Sequence, residues 1–139
     1  MNAAFLLTPK RDVKFVYDHW TVRQALEKME HYRYSAIPVL NKKGKYVGTL
    51  TEGDILWNLK KNADLDFKDT EHMRLRDVPR YRDIAAVSID VDIDDILESS
   101  LSQNFVPIVD DSGVFIGMIR RREIIAYLLK QRSESLKTV

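Results

Sequence analysis

Apolar residues recur along the chain in a fixed order of spacings. A short strand candidate at residues 14–17 is followed by Thr21 and then by Val22, Ala25, Leu26 and Met29. That i, i+3, i+4, i+7 spacing predicts a helix with one buried face, and Thr21 has the side chain of an N-cap. "AIPVL" then reads as a buried strand, "NKKG" as a tight turn and "KYVGTL" as a return strand, which predicts a hairpin closed by a second helix. The same order returns downstream: a strand at 85–89, Asp92 as N-cap before Ile93, Ile96, Leu97 and Leu101, the strands "FVPIV" and "VFIGMI" around "DDSG", and a closing helix. Ser35 to Leu59 aligns with Asn104 to Leu128 at a constant offset of 69 (104 − 35), with Pro38/Pro107, Gly44/Gly113 and Gly48/Gly117 in step. Upstream, the strand and first helix align at an offset of 71 (87 − 16), with two residues dropped in the following turn. The chain reads as two copies of one β-α-β-β-α unit, an α/β (α+β) fold.

A strand, helix, hairpin and helix, with "IPV" in the first hairpin strand and "GTLTEGD" at the return, resembles the CBS domain. Two in tandem resemble the CBS pair, or Bateman module. The resemblance sets the expected bounds at 12–61 for the first domain, 62–83 for a connector with a short helix, 84–131 for the second domain, and 132–139 for a tail frayed after Gln131. It leaves no room for an attached catalytic domain. It also implies two repeats packed with pseudo-twofold symmetry, clefts between their sheets that hold adenosine-containing ligands, and assembly of the pair into a homodimer.

By that resemblance Asp54 accepts hydrogen bonds from two ribose hydroxyls and Thr51 donates to a phosphate at a helix N-terminus, in the pattern formed by Gly48, Thr51 and Asp54. The chemistry is sound, because a carboxylate takes two hydroxyl protons at once and helix N–H groups favour an anion. Thr51 and Asp54 also have the spacing of a capping box that needs no ligand. Tyr34, Ser35, Ala36 and Pro38 are expected at the adenine edge, and Asn104, Phe105 and Pro107 are their equivalents in the second copy. There Arg120 replaces Thr51 and Glu123 replaces Asp54, giving "GMIRRRE". Cations at a helix N-terminus are disfavoured by roughly 0.3–1 kcal/mol each. A bound phosphate would turn Arg120, Arg121 and Arg122 into charge-assisted contacts; pairing with Glu123 or with the "DIDDILE" helix is the alternative. Lys14 is a further phosphate candidate. The combination of "YSAIPV" with paired arginines is similar to small standalone CBS pairs that bind cyclic di-AMP, while AMP, ADP and ATP are the other ligands the resemblance allows.

Composition changes this picture little. With 139 residues, 45% hydrophobic, the chain can bury a proper core. No apolar run reaches the ~18 residues of a membrane span, and "AAFLL" is short for a signal peptide. The absence of cysteine excludes disulfides and thiolate metal sites and fits a cytoplasmic location. His19, His31 and His72 share no ligand spacing, and the aspartates at 90, 92, 94 and 95 lack the glycine and glutamate of a calcium loop, so no metal is expected. No nucleophile elbow or phosphate-binding glycine loop is present, which argues against an enzyme and a covalent cofactor. Trp20 and Trp57 read as packing residues.

Three function classes stay open at this stage. The first is a non-catalytic sensor of an adenine nucleotide acting on a partner protein in trans, and the second is a ligand-free CBS interaction scaffold. The third is a nucleic-acid binder using "RRRE" with Arg74, Arg76, Arg80, Tyr81 and Arg82. A net charge of +1, from 22 basic and 21 acidic residues, counts against that last class.

Overall fold

The computed structural model describes residues 1–80 and 84–137. Tyr81 and Arg82, considered above for nucleic-acid contact, lie outside the described residues. The chain divides into two units, one formed by Lys14–Ile84 and the other by Met1–Val13 together with Ala85–Val139. Each has its own sheet and its own apolar core.

The unit of Lys14–Ile84 begins with strand β2 (Val16–Tyr17), which pairs in parallel with β3 (Ala36–Leu40). Between them runs helix α1 (Val22–Tyr32). Thr21 caps it as predicted: its hydroxyl accepts the Gln24 N–H at 3.2 Å while the Gln24 side chain accepts the Thr21 N–H at 2.8 Å, a complete capping box. Val22, Ala25 and Met29 are buried, and Leu26 packs partly buried against the same core. The helix ends at Arg33, which holds the left-handed conformation (φ 60°) that glycine more often supplies. Strand β3 then pairs antiparallel with β4 (Tyr46–Thr51), and α2 (Glu52–Lys61) follows.

In the other unit, β5 (Val87–Ser88) pairs in parallel with β6 (Phe105–Val109), which pairs antiparallel with β7 (Phe115–Arg120). Helix α3 (Ile93–Ser99) carries Asp92 at its N-cap, as predicted, and α4 (Arg121–Lys137) closes the unit. The two hairpins match in detail. Asn41 Oδ1 accepts the N–H groups of Lys43 and Lys45, and Asp110 Oδ1 accepts those of Ser112 and Val114, so the same side-chain turn is built twice. Both ladders slip at the same place, between Val39 and Leu40 and between Ile108 and Val109.

Several elements differ from the sequence expectation. Strand β1 (Thr8–Pro9), near the start of the chain, adds to the second repeat's sheet by pairing antiparallel with β7, giving the order β1-β7-β6-β5. Leu101, expected on the inward face of α3, lies beyond the end of that helix and is 84% exposed. Trp20 packs partly buried against the core, whereas Trp57 is exposed on α2. Residues 132–137, expected as a frayed tail, are helical, since α4 continues to Lys137. The stretch after α2 is more than a spacer: the 3-10 turn Phe67–Glu71 packs on α1, the 3-10 turn Leu75–Asp77 is held by N–H bonds from Leu75 to Trp20 O and from Arg76 to Asp18 O, and Leu75 and Val78 are buried in that unit's core. Arg23 pins the first turn by donating to Thr70 Oγ1 at 3.0 Å and Phe67 O at 3.0 Å while lying over the Phe67 ring.

The paired glycines of the two β-returns are expected to respond unequally to a methyl group. At Gly117 a Cβ would run into the carbonyl oxygen of Thr8 on β1, which is backbone and cannot swing away. At Gly48 it would meet the Arg80 guanidinium at 2.6 Å, the far end of a flexible side chain. Both glycines hold a positive φ (157° and 154°) that strains any added side chain, so Gly48→Ala should cost about 1–3 kcal/mol and Gly117→Ala about 1–2 kcal/mol more, measured by urea unfolding. Equal losses would contradict the close approach of β1 to β7.

Candidate functional site

The β3–β4 ladder brings most of the first repeat's candidate residues to one end of its hairpin. Ala36 pairs with Thr51, and the Glu52 N–H donates to Ser35 O at 3.1 Å, so the start of β3 lies beside the start of α2. There the Thr51 hydroxyl accepts the Asp54 N–H at 3.2 Å and Asp54 Oδ2 accepts the Thr51 N–H at 2.9 Å. This is the capping box the spacing allowed. Asp54 is only 1% exposed, so a carboxylate is fixed in a buried position within the first turn of a helix, where the partial positive charge of unpaired N–H groups favours it. Pro38 is buried opposite Thr49, behind this corner rather than at its rim.

Tyr34 joins the end of α1 to Ser35, and Lys14 reaches it only by way of Tyr32. The Tyr32 ring lies 6.4 Å from that of Tyr34, and the Lys14 ammonium sits 4.6 Å over the Tyr32 ring. Close by is a cation that sequence reasoning did not single out. Lys28 donates to Phe15 O at 2.7 Å and lies near the Phe15 and Trp20 rings. Burial first, and then the Lys14 charge, hold its pKa below the ordinary 10.5 of lysine. The available signal was its place in α1: three residues after Ala25 and one before Met29, on the flank of the buried face.

The second repeat repeats the corner with different side chains. The Arg121 N–H donates to Asn104 O at 2.8 Å, as Glu52 does to Ser35, and Phe105 pairs with Arg120. Pro107 is buried opposite Met118, as Pro38 is opposite Thr49. The three arginines part company here. Arg121 Nε donates to Ser100 O at 2.8 Å, and Ser100 is the C-cap of α3. A guanidinium that is unfavourable at the start of α4 thus sits at the negative end of another helix and satisfies one of its free carbonyls. Arg120 is half-buried at the end of β7, while Arg122 and Glu123 are exposed. Among the described residues none of the three forms an ion pair with Glu123 or with the acidic residues of α3.

Among the described residues no group of three or more His, Cys, Asp or Glu is placed to hold a metal ion, and no helix is long and apolar enough to cross a membrane.

With this arrangement in view, comparison with known proteins gives the class. The CBS domain family matches residues 6–61 and 75–130, and the chain belongs to that family as a tandem pair. An uncharacterized protein of Methanocaldococcus jannaschii, MJ1225, is 27% identical over 93% of this chain, which spans only 50% of that relative's length. Among solved structures, CbpB in complex with cyclic di-AMP superposes with a TM-score of 0.87 at 21% identity, covering 100% of this chain and 91% of that one. A hypothetical conserved protein of Geobacillus kaustophilus, GK1048, gives 0.86 at 27% identity, covering 94% and 98%. CBSX2 in complex with AMP gives 0.71 at 20%, covering 94% and 98%. These neighbours share the tandem CBS fold.

The Lys14–Lys28 pair offers a direct check of the electrostatics beside α1. A lysine whose folded pKa is lowered gives up its proton earlier in the folded state than in the unfolded chain. Its contribution therefore makes stability rise with pH between the lowered value and 10.5. Lys14→Met should move the Lys28 pKa part of the way back toward 10.5, read by NMR titration of the side-chain Nζ, and Lys28→Met should remove that alkaline rise. An unchanged Lys28 titration in Lys14→Met would mean that the two ammonium groups do not interact.

Proposed function

We propose that this chain is a non-catalytic regulatory sensor. It binds an adenosine-containing nucleotide, cyclic di-AMP or one of AMP, ADP and ATP, and thereby alters the affinity of its surface for a partner protein in trans. The observation that carries the reading is the corner at the start of α2, where a buried carboxylate, a hydroxyl and the first N–H groups of a helix stand beside the exposed residue Ser35. Asp54 is the group suited to ribose hydroxyls, and Thr51 with the helix start is suited to phosphate. Lys14 and Lys28 supply positive charge on the same unit, and Arg120 and Arg122 are the second repeat's candidates for phosphate. Arg121 has a structural task already, so its contribution to a ligand is through its position at the head of α4.

Neighbours that share the fold support the ligand class, since one is a complex with cyclic di-AMP and another a complex with AMP. A bound nucleotide would favour whichever arrangement of the protein holds it best, and any partner that distinguishes the arrangements would sense the occupancy.

Thermal unfolding against AMP, ADP, ATP and cyclic di-AMP tests the proposal. A ligand at a hundredfold its Kd should stabilise the protein by about 2.7 kcal/mol. Asp54→Asn keeps an oxygen for the Thr51 N–H but loses the carboxylate, so it should weaken the response about tenfold or more in Kd and lower the unliganded Tm by a few degrees through the charge lost at the helix start. Arg122→Ala should weaken the response to cyclic di-AMP more than to AMP. If no nucleotide shifts the wild type, the sensor reading fails and the ligand-free scaffold replaces it; salt-dependent binding to a generic duplex would favour the nucleic-acid class instead.

A further inference from the structure

The unit of Lys14–Ile84 carries a groove whose lining, apart from Tyr34 and Glu52, has no part in the nucleotide reading. It has a volume of about 400 Å³ and runs along the C-terminal half of α1. Leu26, Met29, Glu30 and Arg33 line it from one face of that helix, since residues three, four and seven apart share a face. Leu26 and Met29 are the less exposed of these and give the groove an apolar floor. Phe67 adds an apolar wall. It is 58% exposed, yet it is held: the Arg23 guanidinium lies 4.1 Å over its ring and donates to its carbonyl oxygen at 3.0 Å, and the Thr70 hydroxyl donates to the same oxygen at 2.6 Å. Aromatic side chains are enriched at the centres of protein interfaces, and one that is ordered in advance loses little freedom on binding.

The rim is acidic. Glu27, Glu30 and Glu52 line it and are exposed, against Arg33 as the lining cation. Among the described residues none of these three carboxylates forms an ion pair. Glu27 and Glu30 lie along α1 and Glu52 at the start of α2, so the negative charge is spread along the groove. A spread of charge suits a chain that carries several cations better than it suits one small cation.

We propose that the α1 groove docks a basic amphipathic helix of a partner protein, its apolar face on Leu26, Met29 and Phe67 and its lysines or arginines against Glu27, Glu30 and Glu52. A groove laid along one helix accepts a second helix by ridge-into-groove packing, and recognition of this kind reads apolar anchors three, four and seven residues apart. Opposite charge fixes the sign of the partner and speeds its encounter. The inference stands apart from the nucleotide reading and is tested without nucleotide.

The probe is a fluorescein-labelled, end-capped peptide of about four helical turns, with leucine along one face and lysine and arginine on its flanks. Its control carries glutamate in place of every lysine and arginine. Fluorescence anisotropy of each is measured against the full chain. The basic peptide should bind saturably, about tenfold or more tighter than the acidic one, and more weakly as salt rises. Glu27→Lys with Glu30→Lys should weaken it about tenfold or more and make the acidic peptide the better ligand, and Phe67→Ala should weaken it by a similar factor with no change of charge. These side chains are exposed, so circular dichroism should be unchanged; if the reversal variant fails to fold, Glu27→Gln with Glu30→Gln removes charge without reversing it and must still weaken binding. Affinity indifferent to Phe67→Ala would leave only diffuse charge attraction, and affinity indifferent to the charge variants would put the peptide elsewhere; either overturns the proposal, as does the absence of saturable binding. A peptide that binds only while halving the mass of wild type in sedimentation equilibrium overturns it too, because the groove then belongs to a second copy of the chain.

Discussion

The register of the hairpin in each repeat is the constraint on which the candidate site depends. Side chains on a strand alternate faces, so a slip of one residue between β3 and β4 would bury Ala36 in place of Ile37 and carry Thr51 away from the start of β3. The register is held from both ends. At the turn, Asn41 binds two backbone N–H groups, and at the open end the Glu52 N–H reaches back to Ser35 O. Buried Ile37, Val39 and Leu50 fix the face between them. The capping box of Thr51 and Asp54 can then form where a strand start, a helix start and a buried carboxylate coincide.

The second repeat keeps that constraint and changes what it displays. Asp110 performs the turn chemistry of Asn41, and Arg121 closes the open end as Glu52 does. Because the backbone is held by these contacts, the side chains at the helix start are released from capping. Arg120 and Glu123 stand where Thr51 and Asp54 stand in the first copy. Arg121 turns its guanidinium onto the end of α3, which offsets the cost of three cations at a helix N-terminus and ties α3 to α4. One backbone plan thus yields two chemically distinct corners, one acidic and capped, the other basic.

What could be read from sequence was local or repeated. The N-caps at Thr21 and Asp92, the turns at Gly44 and Gly113, and the hairpins follow from residues within a few positions of one another, and the internal duplication let each copy check the other. The capping box at Thr51 was equally legible, while its burial was not, because that depends on what packs over the helix start. What escaped was set by distant contacts. Nothing near Thr8 and Pro9 announces that they will pair with β7, more than a hundred residues away, and the charged stretch after α2 hides Leu75 and Val78, whose burial makes it part of a core. Lys28 was not singled out because its lowered pKa arises from burial and from the charge of Lys14, neither of which is written in the residues beside it. The resemblance to the CBS family named the residue types to examine, and the geometry then divided their tasks, most plainly among the three arginines.

The central claim is that nucleotide is held at the hairpin end where β3 and α2 begin. Its most direct test is amide NMR of the full chain during titration with cyclic di-AMP and, separately, AMP. The account predicts that the resonances of Ser35, Ala36 and Thr51 to Asp54 move first and most, while the turn at Asn41 to Lys45, at the far end of the same hairpin, stays still. Saturable binding that leaves those amides unmoved would contradict it.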